Sequence, residues 1–408
     1  MNKTVNAAAI GYGRRGPNMV GQLLKFDFVN ITAVCDEYED RVENAQKAVA
    51  DARGYTPFGS TNYREVINRE DVDIVFVFTS WESHVDIAVD SMRAGKYTAI
   101  EVGGAYCVED CWRLVDTYEE TGTPFMFLEN CCYGEKELLA LNMARQGLFG
   151  EIVHCAGGYC HDLRSQVAYG KENLQYRLRN YLARNCDNYP THDLGPIAKL
   201  LDINRGNRMT SIITVASGAK GVNSFVRRNK PEDTELCNAS FAQGDIVKSF
   251  ITCENGETID LTLDTTLPRF YSRLFTVRGT EGAFMEDGNL VYLDKVHDKY
   301  HDYPQKLWNN VKDYAKYYNH PLWANPEELL GHGHGGMDYL LLAALFDSYF
   351  NNTHPPIDIY DAAAWMCITA LSEQSLKEGS KKLDIPDFTR GKYLNRQDHS
   401  VGIFSLEK

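Results

Sequence analysis

The chain has 408 residues, more than a single hydrophobic core ordinarily organises, so two domains are expected. Hydrophobic residues make up 44% and charged residues 24%, the balance of an ordinary globular protein in water. A net charge of −14 argues against nucleic acid and anionic membrane as partners, and leaves room for a small ligand held by a few local arginines.

The first third alternates short apolar strands with helices. Segments 5–10, 30–35, 72–79, 97–102 and 124–130 read as buried strands, with helical patterns near 17–26, 38–52, 62–69, 83–94 and 107–121. This predicts a doubly wound parallel sheet of the Rossmann type, an α/β domain over 1–130. In AAAIGYGRRG, Gly11, Gly13 and Gly16 follow the first strand and open a helix. Glycines there permit a tight turn and close approach of the backbone to a pyrophosphate at the helix N-terminus. Arg14 and Arg15 sit inside the same turn. Asp36 ends the second strand, about 20 residues further on, where a carboxylate accepts both ribose hydroxyls and repels a 2′-phosphate. NAD is therefore the expected cofactor rather than NADP. Trp81 and His84 follow the strand at 72–79, Glu101 closes the strand at 97–102, and Asn130 closes 124–130. Strand ends of this kind line the ligand crevice, so all four are candidate cofactor contacts. Capping and packing of the next helix is the alternative for Trp81 and His84.

From about residue 150 the pattern changes to longer alternating strands: 151–163, 209–218, 235–243, 245–255, 257–265 and 273–287. A large, mainly antiparallel sheet with helices on one face is expected over 131–408, an α+β domain. Residues 294–330, rich in aromatics, read as a cover over a site, and helices at 335–351 and 361–378 close the chain and are expected to pack back on the first domain. The eleven cysteines include Cys131-Cys132 and no C-x-x-C, which points to reduced thiols and a cytoplasmic setting. Cys107 and Cys111 read as one buried helix face. No apolar run is long enough for a membrane span, and the N-terminal stretch lacks the core of an export signal, although a signal already removed fits the sequence equally well.

In DNYPTHDLGP, residues 187–196, Thr191 or Asp193 is expected to cap a helix with Pro196 in its first turn. That places His192 at the helix mouth, where the N-terminus disfavours an imidazolium and keeps the base form available. On the residues alone, catalysis and capping by His192 are equally good readings. Tyr189 is near enough to share its pocket. Tyr159 and His161, two apart on a strand, point to one face, and the adjacent Gly157-Gly158 allows close approach of another group. His332 and His334 lie in a Gly-rich run with no paired carboxylate motif, so no metal is assigned.

Several long blocks carry a resemblance: ENCCYGEKELLALNMARQGLFGEIVHCAGGYCHDLR, NYPTHDLGPIAKLLDINRG, GHGGMDY and YDAAAWMCITALSEQSLKEGS. With the nucleotide end they resemble the Gfo/Idh/MocA oxidoreductases over almost the whole chain, and within them glycoside hydrolase family 109, known for NAD-dependent α-N-acetylgalactosaminidases. The resemblance implies hydrolysis without the usual carboxylate pair. The sugar is oxidised at C3, which acidifies the C2 proton; a base removes it, the C1 group is eliminated, water adds, and C3 is reduced again. It also implies that His192 serves as base in hydride transfer, that Tyr159 handles the C2 proton with His161 beside it, and that Glu129, Arg177, Tyr189 and Tyr271 contact the sugar.

Sugar dehydrogenases of the wider superfamily usually carry Glu-Lys-Pro where this chain has Glu101-Val102-Gly103, and valine cannot shuttle a proton. The glycosidases often show Pro-Ala-Ala where this chain has Gly103-Gly104-Ala105. The expected function is an NAD-dependent glycosidase on a small carbohydrate. An NAD-linked sugar dehydrogenase is the runner-up and a non-enzymatic sensor the third reading. The second sheet offers a face for a homo-oligomer, a dimer or larger.

Overall fold

The computed structural model describes residues 4–396 and 398–407. Strands β1 (Val5–Ile10), β2 (Val29–Cys35), β3 (Phe58–Ser60), β4 (Ile74–Val77), β5 (Tyr97–Glu101) and β6 (Phe125–Leu128) form a parallel sheet in the order β3-β2-β1-β4-β5-β6. Every residue of β4, β5 and β6 is buried, because helices cover both faces of the sheet. β3 escapes a reading by sequence: it is three residues long, with no buried residue. The order reverses between β1 and β4, and the crevice outside their carboxyl ends is where ligands bind in open α/β sheets.

The second sheet runs β13-β12-β11-β7-β10-β9-β8-β14, built from β7 (Ile152–Cys160), β8 (Met209–Ala216), β9 (Ile246–Cys253), β10 (Thr258–Asp264), β11 (Thr276–Gly279), β12 (Gly282–Met285), β13 (Leu290–Leu293) and β14 (Leu383–Asp384). Only β7 and β10 pair in parallel; every other neighbour is antiparallel.

Several expected elements differ. The segment 235–243 is no strand: Asp233 caps a helix, Thr234–Asn238, by accepting from the Leu236 amide, and Leu236 anchors a small satellite core with Val222 and Val226. The single strand expected over 273–287 is a hairpin, β11 and β12, because Thr280-Glu281 turns the chain back. The segment 294–330, read as a cover, is placed in part by its helices. Its helices Pro304–Leu307 and Val311–Tyr318 lie against β13 and the helix Glu135–Arg145. Cys111 is buried on helix Val108–Thr121, whereas Cys107 is that helix's half-buried N-cap residue and not part of its face.

Helix Ile359–Lys377 is buried on nearly every side, opened by an Asp358/Asp361 capping box. It packs on helix Val108–Thr121 of the first half and on β8 of the second. Helix Met337–Asn351 packs on helix Gly16–Leu23 and on the turn Asn130–Tyr133. Residues of both sheets thus share one continuous hydrophobic core, with the crevice beside it. Among the described residues no helix is long and apolar enough to cross a membrane.

Candidate active site

The Gly-rich turn has the shape of a dinucleotide cradle. Gly11 has φ +101°, and a Cβ there would lie 2.6 Å from the Phe78 carbonyl carbon, so only glycine lets β1 and β4 approach this closely. Helix Gly16–Leu23 starts directly behind it and has no side-chain cap, which leaves its first amides facing the crevice. Asp36 sits at the tip of β2 and accepts from the Tyr12 amide at 2.6 Å and the Tyr38 amide at 3.1 Å, which fixes its carboxylate beside the turn. This donor set fits NAD: amides for the pyrophosphate and a carboxylate for the adenosine ribose.

The other cofactor candidates separate into those that face the crevice and those that brace it. Arg14 is exposed. Arg15 donates to Glu101 at 2.7 Å and to both oxygens of Asp338 at 2.8 and 2.7 Å. Asn130 and His334 also bind Asp338, at 2.7 and 2.8 Å. His84 is 1% exposed, with Nε2 3.0 Å from the Thr79 carbonyl, and burial pushes its pKa down to about 4. A buried neutral imidazole there supports the tip of β4. Trp81 is buried under Gly103, whose absent side chain admits the indole.

Next to the cradle, the ends of β6 and β7 and two helices bring the predicted acid–base residues together. Helix Thr191–Leu200 begins one residue before His192, after Pro190, with no side-chain capping bond, and Pro196 lies inside the helix. The expected cap by Thr191 or Asp193 is not formed, because both residues already belong to the first turn. Asp193 is instead buried against β7, where a Cβ on Gly157 would come within 2.7 Å of its own Cβ. Gly157 therefore lets this helix settle on the strand that carries Tyr159.

His192 Nδ1 lies 2.7 Å from Glu129 Oε1, and Glu129 is fully buried after β6. Glu129 also accepts from the Cys131 amide at 3.0 Å. Burial pushes the Glu129 carboxyl up, but His192 and the Cys131 amide outweigh it and hold it below the usual carboxylate range. The buried Glu129 carboxylate is placed to orient His192; as an acceptor it puts the proton on Nδ1 and leaves Nε2 as the free acceptor. The Tyr159 hydroxyl lies 3.2 Å from His161 Nδ1, just beyond the end of β7. The Tyr159 ring lies 4.4 Å from Tyr189 and 5.7 Å from His192, and Tyr189 lies 4.8 Å from His192. Tyr271 closes the far side, 5.3 Å from His161 and half exposed.

Arg177 completes the cluster from helix Arg177–Ala183. Its guanidinium lies 5.0 Å from the Trp81 ring and 5.1 Å from Tyr189, Nη1 has no hydrogen-bond partner, and no carboxylate pairs with it among the described residues. Burial raises the Tyr159 pKa and Arg177 pulls it back. Burial also lowers the His161 pKa, with Arg177 and Arg14 adding to the effect. Sequence reasoning named every member of this cluster. It missed Asp338, which organises the braces, and the carboxylate–imidazole pairing, since Glu129 and His192 lie 63 residues apart.

A dinucleotide cradle beside a buried acid–base cluster, at the strand ends of a Rossmann sheet, defines an enzyme of the NAD-dependent oxidoreductase fold. Residues 5–128 match the model of the oxidoreductase family with an NAD-binding Rossmann fold, and residues 133–395 match that of the glycosyl hydrolase 109 C-terminal domain. A glycosyl hydrolase family 109 protein of Parabacteroides distasonis is 39% identical, with 95% of this chain and 87% of that protein covered. An alpha-N-acetylgalactosaminidase of Tannerella forsythia is 38% identical over the same shares. Among solved structures, levoglucosan dehydrogenase in complex with NADH and L-sorbose has the same fold, with a TM-score of 0.70 at 17% identity, covering 95% of this chain and all of that one. The chain belongs to glycosyl hydrolase family 109 and is an NAD-dependent glycosidase.

Proposed function

We propose that the chain hydrolyses N-acetylgalactosaminides or related hexosides through transient oxidation at C3, with elimination and water addition across C1–C2. The observation that carries this reading is the Glu129–His192 pair, 2.7 Å apart, beside Tyr159 and the dinucleotide cradle. Gly11, Gly13, Gly16 and Asp36 would hold NAD, which would supply a reversible hydride acceptor for C3.

His192 takes the proton of the sugar 3-hydroxyl on Nε2. The Glu129 carboxylate behind it stabilises the imidazolium that forms, and the buried pair needs no rearrangement to do so. Tyr159 then removes the C2 proton. A phenol in so buried a place is a poor base alone; Arg177, charged and without a carboxylate, favours the phenolate. His161, half buried and bonded to the Tyr159 hydroxyl, passes that proton outward. Tyr189 and Trp81 give the apolar wall on which a sugar ring stacks, and the free Nη1 of Arg177 suits an acetamido oxygen or ring hydroxyl. Tyr271 lies at the mouth, where the leaving group would sit. Homologues named as alpha-N-acetylgalactosaminidases support the choice of sugar.

The test is a panel of α- and β-linked aryl glycosides turned over in deuterated water. The expected result is aglycone release without accumulated NADH, deuterium at C2 of the product, and no release from a substrate blocked at O3. Release from the blocked substrate would overturn the mechanism; one NADH per sugar consumed would instead assign a dehydrogenase.

A further inference from the structure

The chemistry proposed above leaves one group beneath His192 unused. The thiol sulfur of Cys131, a carboxylate oxygen of Glu129 and a ring nitrogen of His192 all lie within 4.8 Å of one another. The backbone fixes them. Cys131 belongs to the turn Asn130–Tyr133, which Glu129 caps, and His192 to the helix that packs on that turn. Among the described residues, Oε2 of the fully buried Glu129 has no hydrogen bond, and the Cys131 thiol reaches Asn130 Oδ1 alone, at 3.6 Å.

A thiolate, an imidazole and a carboxylate within this distance form a donor set for zinc, which takes three protein ligands in open sites and leaves the fourth position to water or another small ligand. The charges also balance: one thiolate and one carboxylate neutralise a dication, which the buried surroundings demand. The soft sulfur selects zinc over magnesium or calcium.

We propose that Glu129, Cys131 and His192 form an inhibitory site for Zn²⁺ in which the metal and the sugar hydroxyl compete for His192. Binding releases the Cys131 thiol proton to solvent, moves the His192 proton from Nδ1 to Nε2, where it blocks uptake of the sugar proton, and exchanges the Glu129–His192 hydrogen bond for one metal–ligand bond from each of the three residues, with no change of oxidation state. The inhibitory consequence rests on His192 acting as the base; the metal site does not.

The experiment uses the full chain loaded with NAD and freed of metal by chelation. Zinc chloride is expected to inhibit glycoside hydrolysis at least about tenfold, chelator to restore it, and magnesium to have no effect. Cys131→Ser, or Cys131→Ala if the serine variant does not fold, keeps basal turnover and loses the inhibition. Cys237→Ser, at a remote half-buried thiol, keeps both. Independently of turnover, Co²⁺ should give a thiolate-to-cobalt charge-transfer band that Cys131→Ser abolishes and His192→Ala weakens. Equal zinc inhibition of wild type and Cys131→Ser, or a cobalt complex without that band, would overturn the site. The cobalt band without inhibition would overturn the competition, and with it the role of His192 as base.

Discussion

At the scale of the residue, the arrangement turns on which side chains do the chemistry and which hold others in place. Glu129 is the clearest case. The family resemblance implies a sugar contact for it, and in the structure it is fully buried, with Oε1 bonded to His192 and the Cys131 amide. Glu129→Gln keeps the size and removes the charge that stabilises the imidazolium. A fall in kcat of about 10²-fold with little change in KM is expected, read from steady-state kinetics. Loss confined to KM would return Glu129 to the sugar. Arg177 acts on Tyr159 by charge, so Arg177→Met should move the rising limb of the activity–pH profile to higher pH, because burial alone then sets the phenol. An unmoved limb in that variant would separate Arg177 from the C2 proton. His192 and Tyr189 were legible because they fall in a stretch whose residue types a plain cap does not need, and Tyr159 because it shares a strand face with His161 beside two glycines; Arg177 was reached only through the family resemblance. The Glu129–His192 pairing and the Asp338 brace were not legible, since both depend on distant segments meeting.

At the scale of the element, the stretch 187–193 forms the entry to helix Thr191–Leu200, and two acids frame it. Asp187 and Asp193 are both buried, and each has a side-chain oxygen without a hydrogen bond. Burial pushes Asp187 up to about 7, and burial with Asp187 nearby pushes Asp193 well above its ordinary value. A carboxyl whose folded pKa is raised favours the fold below its unfolded pKa of about 3.9, and that advantage is lost as pH rises through the folded value. The protein should therefore lose stability progressively from about pH 4 to about pH 7, with the His192 turn loosening first. Asp187→Asn, which cannot ionise, should flatten that dependence and gain about 1–2 kcal/mol at pH 8. Thermal melts across this range check it, and an unchanged slope in the variant would clear Asp187. Elements with a strong period, β1, β2, β4 and the helices between them, were plain in the sequence. The failures, β3, the 235–243 helix and the β11–β12 hairpin, are short pieces in which a cap or a two-residue turn outweighs propensity.

At the scale of the molecule, the first sheet supplies the cradle, the second supplies Tyr159, and the C-terminal helices bind the two. Asp338 is the joint. It opens helix Met337–Asn351, is fully buried, and accepts from Arg15 of the Gly-rich turn and Asn130 after β6, with His334 alongside. Burial pushes its carboxyl up, but His334 and Arg15 outweigh it and hold it far below the usual range. A depressed pKa of this kind contributes stability above the unfolded value of about 3.9 and loses it only as pH falls through the folded one, so the joint is intact at neutral pH. Asp338→Asn leaves Glu101 as the one carboxylate against the Arg15 guanidinium among the described residues. It should cost about 3 kcal/mol, seen as a lower melting temperature, because a buried charge loses its partner. It should also weaken NAD binding about tenfold by loosening the turn that carries Gly11 and Gly13, measured by quenching of intrinsic fluorescence. Arg15→Met should produce much of the same loss. In the double variant the two losses should fall well short of adding, since both remove one contact. Full additivity would mean that Arg15 serves NAD directly and that the two halves are joined elsewhere.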